Sequence, residues 1–188
     1  MEEKAIGLVE THRVVAGILA GDAMLKRAAV ELIDARYVCI GKFIVLIQGE
    51  ANSVSRAVEA GVEAAGEYLA DQLFIRDVHP AVLAAVDKRV PAGRGESLGL
   101  IETTTVAACI AAADAAVKAA DVTLLELRLA NRLGGKSYTL IWGTVGEVEA
   151  AIAAGVVTVP EGVLVQQAVI PNLHPDLRNE ITRGLTAE

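Results

Sequence analysis

Aromatic side chains are almost missing from this chain. Its 188 residues include two Phe, three Tyr and one Trp, although 53% of residues are hydrophobic. The core must therefore be assembled from Ala, Val, Leu and Ile. Such side chains let a helix lie close to a sheet, but each buries less apolar area than a ring would, so compact halves lean on one another or on neighbours. Cysteine is scarce too. Cys39 and Cys109 lie far apart and form no CxxC pair, which excludes a disulfide framework and fits a reducing cytosol. Basic charge is in deficit, 17 Lys and Arg against 24 Asp and Glu, for a net charge of -7. A nucleic-acid partner needs a basic face, so that class is set aside. No uninterrupted apolar run reaches the roughly 18 residues of a membrane span. Met1-Glu2-Glu3-Lys4 is charged and leads straight into a strand, so no secretory leader is expected. A soluble, cytoplasmic protein is the expectation.

What is present has a clear order. Ala5 to Val9 is a short apolar run that predicts a buried strand. Thr11 is placed to cap a helix running from about His12 to Ala28, whose apolar face would be Val14, Val15, Ile18, Leu19, Ala23 and Leu25. Val30 to Tyr37 reads as a strand. Val38-Cys39-Ile40-Gly41-Lys42 then forms a tight loop into a second strand, Phe43 to Ile47. Asn52 or Ser53 can cap a helix reaching Leu69, and Leu73 to Ile75 makes a last short strand. The polar, glycine-containing stretch from Asp87 to Ser97 reads as a linker.

Beyond the linker the first half begins again. Gly7-Leu8-Val9-Glu10-Thr11 returns as Gly99-Leu100-Ile101-Glu102-Thr103, displaced by 92 residues, and Asp22 and Lys26 return as Asp114 and Lys118. Gly41-Lys42 returns as Gly135-Lys136 at a displacement of 94, so the second loop, Ala130 to Gly134, is two residues longer. His79-Pro80 match His174-Pro175. Gly, Asp, Lys and His held in register, with gaps only in loops, mean a duplicated domain. The boundaries read as 1–90 and 97–188 with a linker at 91–96. Each half runs β-α-β-β-α-β, an α+β sandwich of an antiparallel-rich sheet with helices on one face. In the second half Val156 to Pro160 opposes helix, so that half's second helix should be the shorter one.

These repeated motifs resemble the shell proteins of bacterial microcompartments. The match rests on Gly-x-x-Glu-Thr after the first strand, Asp-Ala-x-x-Lys-x-Ala on the first helix (Asp22 to Ala28, Asp114 to Ala120), Gly-Lys after the loop, and the terminal Val-Ile-Pro-x-x-His (Val169 to His174). Two such ferredoxin-like domains in one chain are similar to the tandem class of that family. The resemblance implies a homotrimer mimicking a hexamer, tiled laterally with other shell proteins around encapsulated enzymes, with a central opening for metabolites. The loop before Gly41-Lys42 is similar to the one that lines this opening. A cysteine there in the first repeat only resembles the propanediol-utilisation trimers. That type implies one [4Fe–4S] cluster per trimer, held by Cys39 of each subunit and passing electrons across the shell, with an encapsulated redox enzyme as a further partner.

By its residue type alone, Cys39 reads first as a small hydrophobe at a strand end and only second as a ligand, since cluster sites normally draw several cysteines from one chain. Three copies around an axis would turn it into three ligands. The alternatives are a Zn²⁺ ion with three sulfurs and one open position, and an unmetallated pore conducting small metabolites. Val38, Ile40 and Gly41, with Asn131, Arg132, Leu133 and Gly134 of the second repeat, are the expected pore loops. Cys109 is assigned to the core. Lys26 and Lys118 are solvated cations near helix ends or, by the resemblance, edge contacts between tiles. Arg76, His79, Asn172 and His174 fall where further edge contacts would lie, although the family often has an arginine in place of Asn172. No nucleophile motif, phosphate loop or acid–base pair stands out, so no catalytic residue is expected.

Overall fold

A computed structural model describes residues 4–86 and 95–186. The first repeat comprises β1 (Ala5–Thr11), α1 (Val14–Arg27), β2 (Glu31–Val38), a single 3₁₀ turn at Cys39–Gly41, β3 (Lys42–Gly49), α2 (Ala51–Ala65), β4 (Leu69–Ile75) and α3 (Pro80–Val86). The second comprises β5 (Ser97–Thr103), α4 (Val106–Ala119), β6 (Thr123–Arg128), β7 (Ser137–Gly143), α5 (Val145–Val157), β8 (Leu164–Ile170) and α6 (Pro175–Thr186). Each repeat folds into a four-stranded antiparallel sheet, ordered β2-β3-β1-β4 and β6-β7-β5-β8. Even the register slip recurs, between Glu10 and Thr11 in one sheet and between Glu102 and Thr103 in the other. Most of the expected linker, residues 87–94, lies outside the described residues.

The repeated glycine of Gly-x-x-Glu-Thr explains how such small side chains build a core. A Cβ added at Gly7 would sit 2.4 Å from Val58 Cγ2, and one at Gly99 2.7 Å from Val148 Cγ1. The strand lets the second helix of its repeat press directly onto the sheet, which recovers contact area that rings would otherwise supply. Val9, Val45 and Ile47 cluster with Met24, Val54 and Val58 of α1 and α2. On the opposite sheet face, Ile6, Leu8, Ile44 and Leu46 join Val82 and Ala85 of α3 and Ile101, Ile110 and Val148 of the second repeat in one continuous core. The halves are thus fused through apolar packing.

Several local expectations are corrected. Thr11 does not cap α1. It ends β1 and donates its hydroxyl to Arg13 O at 2.9 Å, and the N-cap residue of α1, Arg13, supplies no side-chain bond. In the second repeat the cap is Thr105, two residues past the matching Thr103. For α2, Glu50 rather than Asn52 or Ser53 is the cap, its carboxylate accepting from both of their N–H groups. That helix stops at Ala65, and Leu69 already begins β4. The apolar face expected for α1 is the largest miss. Val15, Ile18 and Leu19 are 71%, 56% and 57% exposed, whereas Ala16, Gly17, Ala20, Gly21 and Met24 are buried. Beyond the expected plan, α3 and α6 follow the last strand of each repeat. By contrast α5, at 13 residues, is shorter than the 15-residue α2, as the Val-Val-Thr-Val-Pro run dictates.

Candidate functional site

The chain reverses from β2 to β3 in only three residues, and Cys39 stands at that reversal. Ile40 carries φ +68 and Gly41 φ +75. A β-branched residue in the left-handed region is strained by about 1–3 kcal/mol, so its surroundings must hold it there. They include the loop of the second repeat. A Cβ on Gly135 would lie 3.1 Å from Ile40 Cδ1 and 3.4 Å from Cys39 O, so only glycine lets the two loops meet this closely without displacing Ile40. Loops some 93 residues apart in sequence are therefore neighbours in one chain.

The second loop turns its backbone inward. Ala130, Arg132, Gly134 and Gly135 all take positive φ, alternating at first with residues in the ordinary region. Such an arrangement points successive N–H groups toward a common side and favours an anion there. Ser137 Oγ accepts from Ala130 N–H at 3.1 Å and Leu133 O from Lys136 N–H at 3.2 Å, which pins both ends of the loop. Partial burial acts to raise the Cys39 thiol. The backbone N–H groups of Gly134, Arg132, Leu133 and Gly135 outweigh it and hold the thiol below the usual range. A Cβ at Gly41 or Gly134 would meet nothing within 4 Å, so both loops border open space beside the partly buried Cys39. Cys109, by contrast, is fully buried in α4, and burial pushes its thiol up.

The expected pore residues thus come together: Val38 buried, Cys39 partly buried and Ile40 76% exposed in one loop, and Asn131 to Gly134 in the other. Among the described residues no three His, Cys, Asp or Glu side chains converge as a metal site, so one chain by itself offers a single thiolate. An open groove of about 390 Å³ between α5 and β8, lined by Ile152, Val156 and Val169 among others, includes none of these loop residues.

The expected edge residues divide unevenly. Lys118 pairs with Asp114 at 2.6 Å and donates to Asp77 O, while Asp114 accepts from His79 N–H at 2.8 Å, so these residues stitch one repeat to the other. Their counterparts stand at the surface: Lys26 with Asp22 at 2.6 Å, and exposed His174 and Asn172, the latter at φ +49. Arg76 is exposed at the end of β4. Sequence reasoning missed the joint centred on Glu10. Fully buried, Glu10 accepts from Lys42 Nζ at 2.9 Å and from Val106 N–H at 2.8 Å, while Lys42 also donates to Thr104 O at 3.0 Å. The signal was available: Glu in Gly-x-x-Glu-Thr and Lys in Gly-Lys recur together in both repeats.

Comparison with known proteins agrees with this geometry. The BMC domain model matches residues 5–78 and again 97–173. The bacterial microcompartment shell protein PduT of Citrobacter freundii is 37% identical over 96% of this chain and 99% of its own. The carboxysome assembly protein CcmO of Synechocystis is 30% identical over 95% of this chain and 65% of its own. A solved microcompartment protein from Desulfitobacterium hafniense superposes with a TM-score of 0.83 at 43% identity, covering 94% of this chain and 98% of that one. With two matched domains, two sheets of one topology and relatives that span its length, the chain belongs to the bacterial microcompartment shell-protein family, as a tandem member carrying two BMC domains.

Proposed function

We propose that this shell protein closes as a pseudohexameric homotrimer and holds one [4Fe–4S] cluster between its three chains, each contributing Cys39. The observation that carries the reading is the setting of Cys39: a soft sulfur at a loop tip, beside open space, under the N–H groups of the second repeat. Those donors favour the thiolate, the form that binds iron, and hydrogen bonds to cluster sulfurs raise a cluster's potential. Three thiolates leave one iron for water or a small exogenous ligand. When bound, the cluster supplies one-electron transfer, here from one side of the layer to the other. The exposed Arg132 adds positive charge at the same loop, suited to an anionic group. The role is structural and conductive rather than catalytic. Lateral contacts with other shell proteins run through Lys26, Lys118, Arg76, His79, Asn172 and His174, and an encapsulated redox enzyme is the electron partner.

Anaerobic purification with iron and sulfide analysis tests this. The expected result is about four irons and four sulfides per three chains, a brown colour, and loss of both in Cys39→Ser but not in Cys109→Ala. Iron-free protein from both aerobic and anaerobic preparations overturns the cluster. Zinc at one ion per three chains would then identify a three-sulfur zinc site, and no metal at all an open pore for small metabolites.

A further inference from the structure

Helices α2 and α5 hold the same position in the two repeats, yet their outer faces differ in kind. On α2 the outward residues Asn52, Arg56, Glu59 and Glu63 make a solvated face. Displaced by 94 residues, the same positions on α5 are Gly146, Ala150, Ala153 and Val157, all exposed, Val157 at 85%. A surface helix normally turns polar residues outward, and an apolar outer face marks a contact with something else. Beside this face runs the groove of about 390 Å³ against β8. In the first repeat Phe74 and Glu59 stand where the second has the smaller Val169 and Ala153, both of which line the groove. The joint between repeats does not use this face. Helix α4 packs on β4, yet Gln72 and Phe74 beside α2 stay exposed. A neighbour packed on β8 in the same manner leaves α5 uncovered.

We infer that α5 and its groove receive a cationic, amphipathic helix of another protein, one on each chain. Gly146, Ala150, Ala153 and Val157 are spaced four, three and four residues apart, the seam spacing of paired helices. Their small side chains let a second helix lie close, and the groove takes that helix's larger aliphatic residues. Charge selects the occupant. No Lys or Arg occurs between Lys136 and Arg178, a stretch that holds Glu147, Glu149 and Glu161. Glu147 is turned back onto Thr144 at the start of α5, which leaves Glu149 as the exposed carboxylate lining the groove. A Lys or Arg flanking the incoming seam meets it there. A second copy of α5 would instead set carboxylate against carboxylate, with no cation on either flank. The occupant is therefore a different protein, and the site belongs to one repeat in two.

Fluorescence anisotropy of labelled synthetic peptides with the full chain tests this. The probe is a helix of about 18 residues with a Leu/Ala seam of the same spacing, flanked by Lys. Its twin carries Glu in place of every Lys. Wild type should bind the lysine peptide at one per chain, about tenfold or more tightly than the twin, with affinity falling as salt rises. Giving α5 the face of α2, by Ala150→Arg, Ala153→Glu and Val157→Glu together, should weaken that binding about tenfold or more. Glu149→Lys, a single change at an exposed position, should reverse the preference between the twins. No binding by wild type, equal binding of the twins, binding untouched by the grafted face, or an unreversed preference in Glu149→Lys overturns the proposal. So does a mass that grows with concentration in wild type but not in the grafted variant, which would seat a second copy on α5 instead.

Discussion

Two helices occupy the same place in two copies of one fold and have opposite fates. Helix α4 is Ala-rich and buried on nearly every side, while α1 carries larger apolar residues and shows them to solvent. The buried faces of the pair contain Gly17 in one and Cys109 in the other, and the strand opposite compensates. A Cβ on Gly17 would lie 2.5 Å from the Phe43 side chain, whereas Cys109 sits where the strand residue matching Phe43 is Ser137. Each repeat fills one volume with a different division of atoms. Apolar residues on a helix therefore do not by themselves say which face is covered: those of α4 are buried and the large ones of α1 are exposed.

The comparison can be broken most severely at the two glutamates. Glu10→Ala strips a mostly buried Lys42 of its partner and the start of α4 of an acceptor, and should cost the folded chain about 3–5 kcal/mol. Glu102→Ala, at the half-exposed counterpart, should cost less than about 1 kcal/mol, both read from urea unfolding of dilute protein. Next comes the exchange at the first helices. Gly17→Cys overpacks against Phe43 and should destabilise by about 1–3 kcal/mol, and adding Phe43→Ser should restore much of the loss by importing the solution of the second repeat. A gain rather than a loss is expected from Ile40→Gly. Relief of left-handed strain in a β-branched residue outweighs the added entropy of the unfolded chain, by about 1 kcal/mol.

The smallest effect is one of pH. Burial, followed by its bond to Glu126 Oε2 at 2.8 Å, pushes the Tyr138 phenol up to about 12, where the first repeat has the apolar Ile44. The phenol ionises more readily in the unfolded chain. Its contribution to stability is therefore complete below about pH 10 and is lost as pH rises from there toward 12. Urea midpoints across that range should fall less steeply in Tyr138→Phe than in wild type.

Most of the architecture was legible because a duplicated pattern checks itself. A strand or helix signal that recurs 92 to 95 residues later, with its glycines in place, is hard to mistake. What escaped was decided by contacts, near and far in sequence, that periodicity does not display. The small residues Gly17 and Gly21 rather than the large apolar ones of α1 face β3, and the cap of α2 fell to Glu50 because a carboxylate just ahead of the helix reached both N–H groups. Short helices α3 and α6 carry too little periodicity to stand out. At the site, Cys39 and both loops were readable. That Gly134 and Gly135 would aim N–H groups at that sulfur was not, since only the fold brings the loops together. Two extra residues and a glycine pair in the second loop were the available hint.

Cys39 has no counterpart at the matching loop, and this sets an odd valence. A ring of six identical domains with this residue would crowd six thiols round one opening, too many for a cube of four irons. In the trimer proposed above, alternating a thiol-bearing loop with one that offers N–H donors and no thiol would interleave three anchors with three donor loops. Fusing two copies into one polypeptide and letting them diverge is thus a route by which a sixfold outline acquires a threefold chemistry.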